Sequence, residues 1–114
     1  MITNISKKQN LVESVKHCKS AFTQCRGLMF TTPLRNKGLV FHFGKLQSIS
    51  LHMFFVFYPI DVLWLNKEKQ VVQIKKRFKP FTFVARSEPS CYVLELPAGI
   101  VDTSQTEIGD TIDF

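Results

Sequence analysis

Ile60-Asp61-Val62-Leu63-Trp64-Leu65, then Asn66-Lys67-Glu68-Lys69, then Gln70-Val71-Val72-Gln73-Ile74-Lys75 is the stretch from which the fold is read. The first six residues are apolar apart from Asp61. A short run that is apolar at both odd and even positions, and rich in β-branched and aromatic side chains, is the pattern of a strand buried on both faces. The polar residues after it are turn formers. The second arm alternates, which predicts Val72 and Ile74 on one face and Gln73 and Lys75 on the other, a half-buried strand. The two arms together read as a β-hairpin.

Outward from this hairpin the chain repeats the same grammar. Met1 to Ser6 and Leu11 to Cys18 carry β-branched residues and flank the polar turn Lys7-Lys8-Gln9-Asn10. They are predicted as strands. Leu39 to Phe43 alternates after the loop Arg35-Asn36-Lys37-Gly38, and Cys91 to Leu96 is a further strand ended by Pro97 and Gly99. Gly109-Asp110 marks a turn within Ile108 to Phe114, before a last strand. Ser20 to Met29 is read as a short helix: Ser20 as N-cap, Phe22, Cys25 and Met29 as its apolar stripe, Gly27 and Pro33 as its end. Many short strands with turn punctuation, plus this helix, predict a mainly β fold: a compact β-sandwich or partly open barrel.

The chain has 114 residues, the size of one domain, and enough to bury a core without a disulfide or metal. Eleven phenylalanines stand against two tyrosines and one tryptophan. A phenylalanine ring has no polar tip, so most of them belong in the interior. Cys18, Cys25 and Cys91 make an odd number with no C-x-x-C spacing, which argues against a disulfide framework or zinc ribbon. The polar start has no apolar signal core behind it, and the apolar-rich run Leu51 to Leu65 is broken by His52, Pro59 and Asp61. No membrane segment is expected, and the reading is a soluble, cytoplasmic protein with reduced thiols.

Charge is segregated. Residues 87–114 hold six acidic side chains and neither lysine nor arginine, whereas residues 67–86 hold seven basic side chains and one acidic. The acidic end is expected to lie beside the basic strands and neutralise them.

Four segments, in order, carry a resemblance. They are Arg26-Gly27-Leu28-Met29-Phe30, Leu51-His52-Met53-Phe54-Phe55-Val56-Phe57-Tyr58-Pro59-Ile60-Asp61-Val62, Val93-Leu94-Glu95-Leu96-Pro97-Ala98-Gly99 and Ile108-Gly109-Asp110. Together they resemble the domain of unknown function 192 family, also called uncharacterised protein family 0127. The resemblance spans residues 26–110 and implies a compact β-rich fold with one short helix and no established activity. Many bacterial relatives have a tryptophan and polar residues where this chain has His52 to Phe55, and many carry a secretion signal. The present form looks like the archaeal branch without one.

Charged residues inside apolar runs are the candidates for a site. Asp61 and Glu95 each interrupt an otherwise apolar strand, and a buried carboxylate needs a partner or a wet pocket. Arg26 is the natural bidentate partner, and His52 precedes another apolar run. Arg26, His52, Asp61 and Glu95 are therefore expected to converge, as a structural polar network or as a site for a small polar ligand. An enzyme reading uses Asp61 and Glu95 as an acid/base pair, but no motif supports it. His17, His42 and His52 lack metal-ligand spacing and read as isolated surface or core histidines, and no metal or cofactor is expected.

Lys75-Lys76-Arg77-Phe78-Lys79-Pro80-Phe81-Thr82-Phe83 interleaves cations with aromatics. Lys75, Lys76, Arg77 and Lys79 could meet phosphates while the rings stack on bases. The competing expectation puts Phe78, Phe81 and Phe83 into the core and the cations in water. The exposed-surface reading of Met53 to Tyr58 as a partner face likewise competes with burial. The function expected from the sequence is a non-enzymatic binding or accessory module with a polar ligand or protein partner. The alternatives are a carboxylate-pair hydrolase and a basic nucleic-acid-binding domain.

Overall fold

The computed structural model describes residues 1–18, 35–48, 58–79 and 87–114, with the backbone alone for 51–52 and 83–84. The expected helix at 20–29, Cys25, Arg26, the side chain of His52, the run 53–57 and the rings of Phe81 and Phe83 lie outside the described residues.

The hairpin is where the sequence puts it. Ile60–Leu65 (β6) has all six residues buried and pairs antiparallel with Val71–Phe78 (β7). On its other side β6 pairs antiparallel with Ser90–Pro97 (β9). Next to β9 comes Lys37–Gln47 (β4), and next to β4 comes Ser14–Cys18 (β3), the one parallel partner among the described residues. The five strands form a sheet in the order β3-β4-β9-β6-β7, so the most apolar strand lies inside it. A second sheet holds Ile2–Asn4 (β1) between Gln9–Val12 (β2) and Ile112–Asp113 (β10). Leu51–His52 (β5) pairs with Phe83–Val84 (β8). A five-residue helix, Ile100–Ser104 (α1), follows β9. The fold is mainly β: open sheets, none closed into a barrel among the described residues.

Two apolar layers sandwich the central sheet. On one face Ile2, Leu11, Val12 and Ile112 of the small sheet, with Val101 of α1, pack on Val40, Leu63, Leu65, Leu94 and Leu96. On the other lie Cys18, Leu39, Phe41, Ile60, Val62, Trp64, Phe78 and Val93. Gly38 marks how closely the two sheets approach. A Cβ built there would sit 2.8 Å from Ile2 Cδ1 and 3.1 Å from both Leu96 Cδ2 and Val12 Cγ2.

Two local expectations are corrected. Leu11 to Cys18 is not one strand: it breaks at Glu13, sending β2 to the small sheet and β3 to the central one. Val72 and Ile74 do not share a face, since Val72 packs in the Trp64 layer and Ile74 in the Leu63 layer. Between the pairs Trp64↔Gln73 and Leu65↔Val71 the strand β7 has one residue too many, a β-bulge that breaks the two-residue alternation. The helix α1 was not anticipated either. It begins after Gly99, whose φ is 95°, without a side-chain cap from its own sequence.

Candidate functional site

A second bulge explains Asp61. Between Ile60↔Phe78 and Val62↔Lys75 β7 again gains a residue, and Arg77 takes a left-handed φ of 48°. A bulged residue leaves the ladder, so its N–H needs another acceptor. Asp61 Oδ1 accepts it at 2.9 Å. Asp61 Oδ2 accepts the N–H groups of Gly99 and Val101 at 3.1 and 2.9 Å. The first turn of α1 is thus held by a carboxylate from a strand far away in sequence. Asp61 is 1% exposed and satisfied by three backbone donors. Both oxygens are engaged in fastening β7 and α1 to β6.

Glu95 has a different environment. It is 5% exposed and lies opposite Leu39 on one side and Val62 on the other. Val93 of the same strand belongs to the Trp64 layer, and Leu94 and Leu96 to the opposite one. Alternation therefore places Glu95 in the Trp64 layer. Burial pushes its carboxyl up to about 8. Its Oε2 has no hydrogen-bond partner among the described residues, and neither has Trp64 Nε1. Trp64 pairs with Val93 and Glu95 with Val62, so the two are diagonal neighbours on one sheet face. In the same layer burial pushes the Cys18 thiol above its ordinary value, which keeps it a neutral, poor nucleophile.

The structure does not bring Asp61 and Glu95 together. Asp61 lies between Ile60 and Val62, which belong to the Trp64 layer, and its Oδ2 reaches Val101 in the opposite layer. Of the four residues expected to converge, Arg26 and the His52 side chain lie outside the described residues, and the two carboxylates leave the sheet on opposite faces.

The basic strand is largely accounted for. Lys76 and Arg77 both reach Asp102 of α1, at 2.8 and 2.7 Å. Hydrogen bonds from Lys76 and Arg77 hold the Asp102 carboxyl below its ordinary value, and the hydrogen bond to Asp102 raises Arg77 above its own. Lys75 and Lys79 are exposed, while Phe78 is buried in the Trp64 layer. Of the acidic end, Asp102 lies against the basic strand β7, and Glu107 and Asp110 lie against Lys7.

Two clusters escaped the sequence. Buried Asn4 donates to Asp110 Oδ2 at 2.9 Å and to Thr106 Oγ1 at 3.0 Å. Asp110 also accepts from Lys7 Nζ at 3.1 Å and from the Glu107 N–H at 2.9 Å. Burial acts to raise the Asp110 carboxyl, but the donors Asn4, Glu107 and Lys7 together carry it below the ordinary value. The signal was Gly109-Asp110, read as a turn and as part of the family resemblance, but not as a polar cluster. The second cluster corrects the reading of His17 and His42 as isolated histidines: His17 Nδ1 lies 2.8 Å from His42 Nε2.

The architecture thus defines a class, a mainly β domain with an open mixed sheet as its centre. The family model DUF192, described as "Uncharacterized ACR", matches residues 2–114, and the chain belongs to this family. A UPF0127 protein of Thermococcus sibiricus is 36% identical over all of this chain and 74% of its own length. A UPF0127 protein of Pyrococcus furiosus is 29% identical over 97% of this chain and 95% of its own length. Among solved structures, a protein of unknown function from Novosphingobium aromaticivorans has a TM-score of 0.87 and 21% identity, covering 99% of this chain and 81% of its own. One from Sinorhizobium meliloti, titled a putative transcription regulator, has a TM-score of 0.82 and 25% identity over 87% of this chain and 79% of its own. Among the described residues no helix is long and apolar enough to cross a membrane.

Proposed function

We propose that this chain is a non-enzymatic binding module whose Trp64/Glu95 face receives a small polar ligand. The observation that carries the reading is the pair of buried polar atoms, Trp64 Nε1 and Glu95 Oε2, without partners among the described residues. A buried polar group without a hydrogen bond costs about 1–3 kcal/mol, so two on one face call for an occupant. Indole N–H can only donate, while the Glu95 carboxyl, protonated below about 8, can donate its O–H or accept. A hydroxyl or carboxamide does both, so a polyol, sugar or amide-bearing metabolite fits the pair. A catalytic role has less support, because both oxygens of Asp61 are taken by backbone N–H groups. A nucleic-acid role, suggested by the cations and aromatics interleaved over residues 75–83, draws little support from a strand whose Lys76 and Arg77 share Asp102.

Trp64 is the sole tryptophan, so its fluorescence reports the site directly. Polyols, sugars, amino-acid amides, nucleotides and oligonucleotides would be titrated against the wild type, Glu95→Gln and Trp64→Phe, with thermal unfolding in parallel. A true ligand at about 100 times its dissociation constant adds about 2.7 kcal/mol, a rise of roughly 10 °C or more for a domain of this size. A saturable hydroxyl or amide hit weakened in both variants is the expected result. Hits indifferent to both variants, or oligonucleotides alone, would sink the reading.

A further inference from the structure

We propose that His17 and His42 form a binding site for a divalent transition metal of tetragonal preference, copper(II) before nickel(II). The sequence separates these residues by a strand and a long connection, and the parallel pairing of β3 with β4 reunites them. His17 is opposite Val40, so His42 is its diagonal neighbour two positions on. Val15 and Val40 belong to the layer facing the small sheet, and alternation puts both imidazoles on that side.

The separation of the two nitrogens selects the metal. His17 Nδ1 and His42 Nε2 are 2.8 Å apart. Two metal–nitrogen bonds of about 2.0 Å meeting at a right angle place their nitrogens about 2.8 Å apart, whereas a tetrahedral angle needs about 3.3 Å. In the hydrogen-bonded pair the nitrogens face each other, so each ring must turn to aim its lone pair at one ion; at this spacing they then have the bite of adjacent positions in a square or tetragonal complex. For the cation to enter, the hydrogen between the two rings moves to the other nitrogen of the ring that holds it, so that each neutral imidazole offers a lone pair, and water completes the coordination. Imidazole is a good ligand for copper and nickel, and copper binds most tightly among the divalent first-row ions.

The surroundings fix the rings and leave an approach. Tyr92 stands edge-on to His42 with centroids 5.4 Å apart, and Phe114 does so at 5.9 Å. Phe114 also leans on His17, 6.2 Å between centroids, and carries Lys69 Nζ 4.2 Å above its ring. Aromatic walls hold two side chains already seated on a sheet, so little order need be gained on binding. His17 is exposed on the outer strand, which gives a hydrated ion access. No group of three or more histidine, cysteine or acidic side chains adds a further ligand among the described residues.

The test uses the full chain, freed of metal with a chelator and titrated with copper(II) sulfate, nickel(II) chloride and zinc chloride. Binding would be read by calorimetry and, for copper, by electron paramagnetic resonance, with circular dichroism to check that variants fold. The expected result is one copper per chain with a two-nitrogen spectrum, and nickel weaker. Removing even a group that only orients a ligand costs 10–100-fold in affinity, so His17→Gln and His42→Gln should each lose at least about tenfold. If His42→Gln does not fold, the exposed His17→Gln decides alone. Unchanged affinity in a folded variant, no binding by copper, or zinc preferred to copper would overturn the proposal.

Discussion

Asp61 and Glu95 are on neighbouring strands, one position apart in register, and their side chains leave the sheet on opposite faces. Asp61 is opposite Leu96 and Glu95 opposite Val62. One carboxylate is fully hydrogen-bonded to backbone, and the other has an oxygen without a partner among the described residues. Similar sequence settings have produced a fastener and a candidate binding group.

Replacing Asp61 by alanine strands three N–H groups, one at the Arg77 bulge and two at the start of α1. Hydrogen bonds to charged groups are worth about 1.5–3 kcal/mol each, and buried donors left unmade cost more than they contributed. A loss of at least about 3 kcal/mol is expected in urea unfolding, with Asp61→Asn intermediate. A cost below about 1 kcal/mol would contradict the fastening role.

Glu95 should make stability fall with rising pH. Its folded value, about 8, lies above the ordinary carboxylate range. At low pH both folded and unfolded states are protonated and the group contributes nothing. Between the unfolded value and about 8 the unfolded chain releases the proton first, so the folded state loses ground until both are ionised. Glu95→Gln is expected to remove this slope and to stabilise the protein by a few kcal/mol, on the order of 2–5, at pH 9, with little effect at pH 4. Urea titrations at the two pH values check it, and parallel pH profiles for the two proteins would refute the burial.

Asp110 should act in the opposite sense. Its carboxyl is held below the ordinary value, so its stabilisation is complete above the unfolded pKa and fades as pH falls through the folded one. Asp110→Asn should be less stable than the wild type at neutral pH and converge with it in strong acid. Asn4→Ala, which removes the buried donor to both Asp110 and Thr106, should cost about 1–3 kcal/mol. Thermal unfolding between acid and neutral pH would show whether the two variants' deficits behave in this way.

Asp102 neutralises Lys76 and Arg77 on an exposed surface, and exposed ion pairs contribute little to stability. Asp102→Asn should leave the melting temperature nearly unchanged while releasing two cations. If β7 has a latent affinity for nucleic acid, binding to a labelled oligonucleotide should strengthen in the variant and weaken with salt. Unaltered binding would assign the basic strand to charge balance alone.

Much of the fold was legible because strands and turns announce themselves locally. The buried arm Ile60–Leu65, its partner from Val71, and the strand at Ser90–Pro97 follow from apolar runs and turn residues lying within a few positions of one another. The helix α1 was not legible, since Asp61, the acceptor for Gly99 and Val101, stands on another strand. The four-residue convergence was only half addressable. Its two described members part company because neighbours in adjacent strands share a face only when register permits it.

By itself, then, the sequence determined the class of fold, the buried strand, the charge segregation and the family, all of which depend on short-range pattern or on the order of segments. Tertiary structure decided which side chains meet. Two bulges in β7 set where Val72 and Ile74 point and why Asp61 is needed, and the parallel register of β3 on β4 pairs His17 with His42. The physical reason is that a strand's side chains have only two directions, and one extra residue in a partner exchanges them. Nothing in the local pattern records that extra residue until the strands are laid side by side.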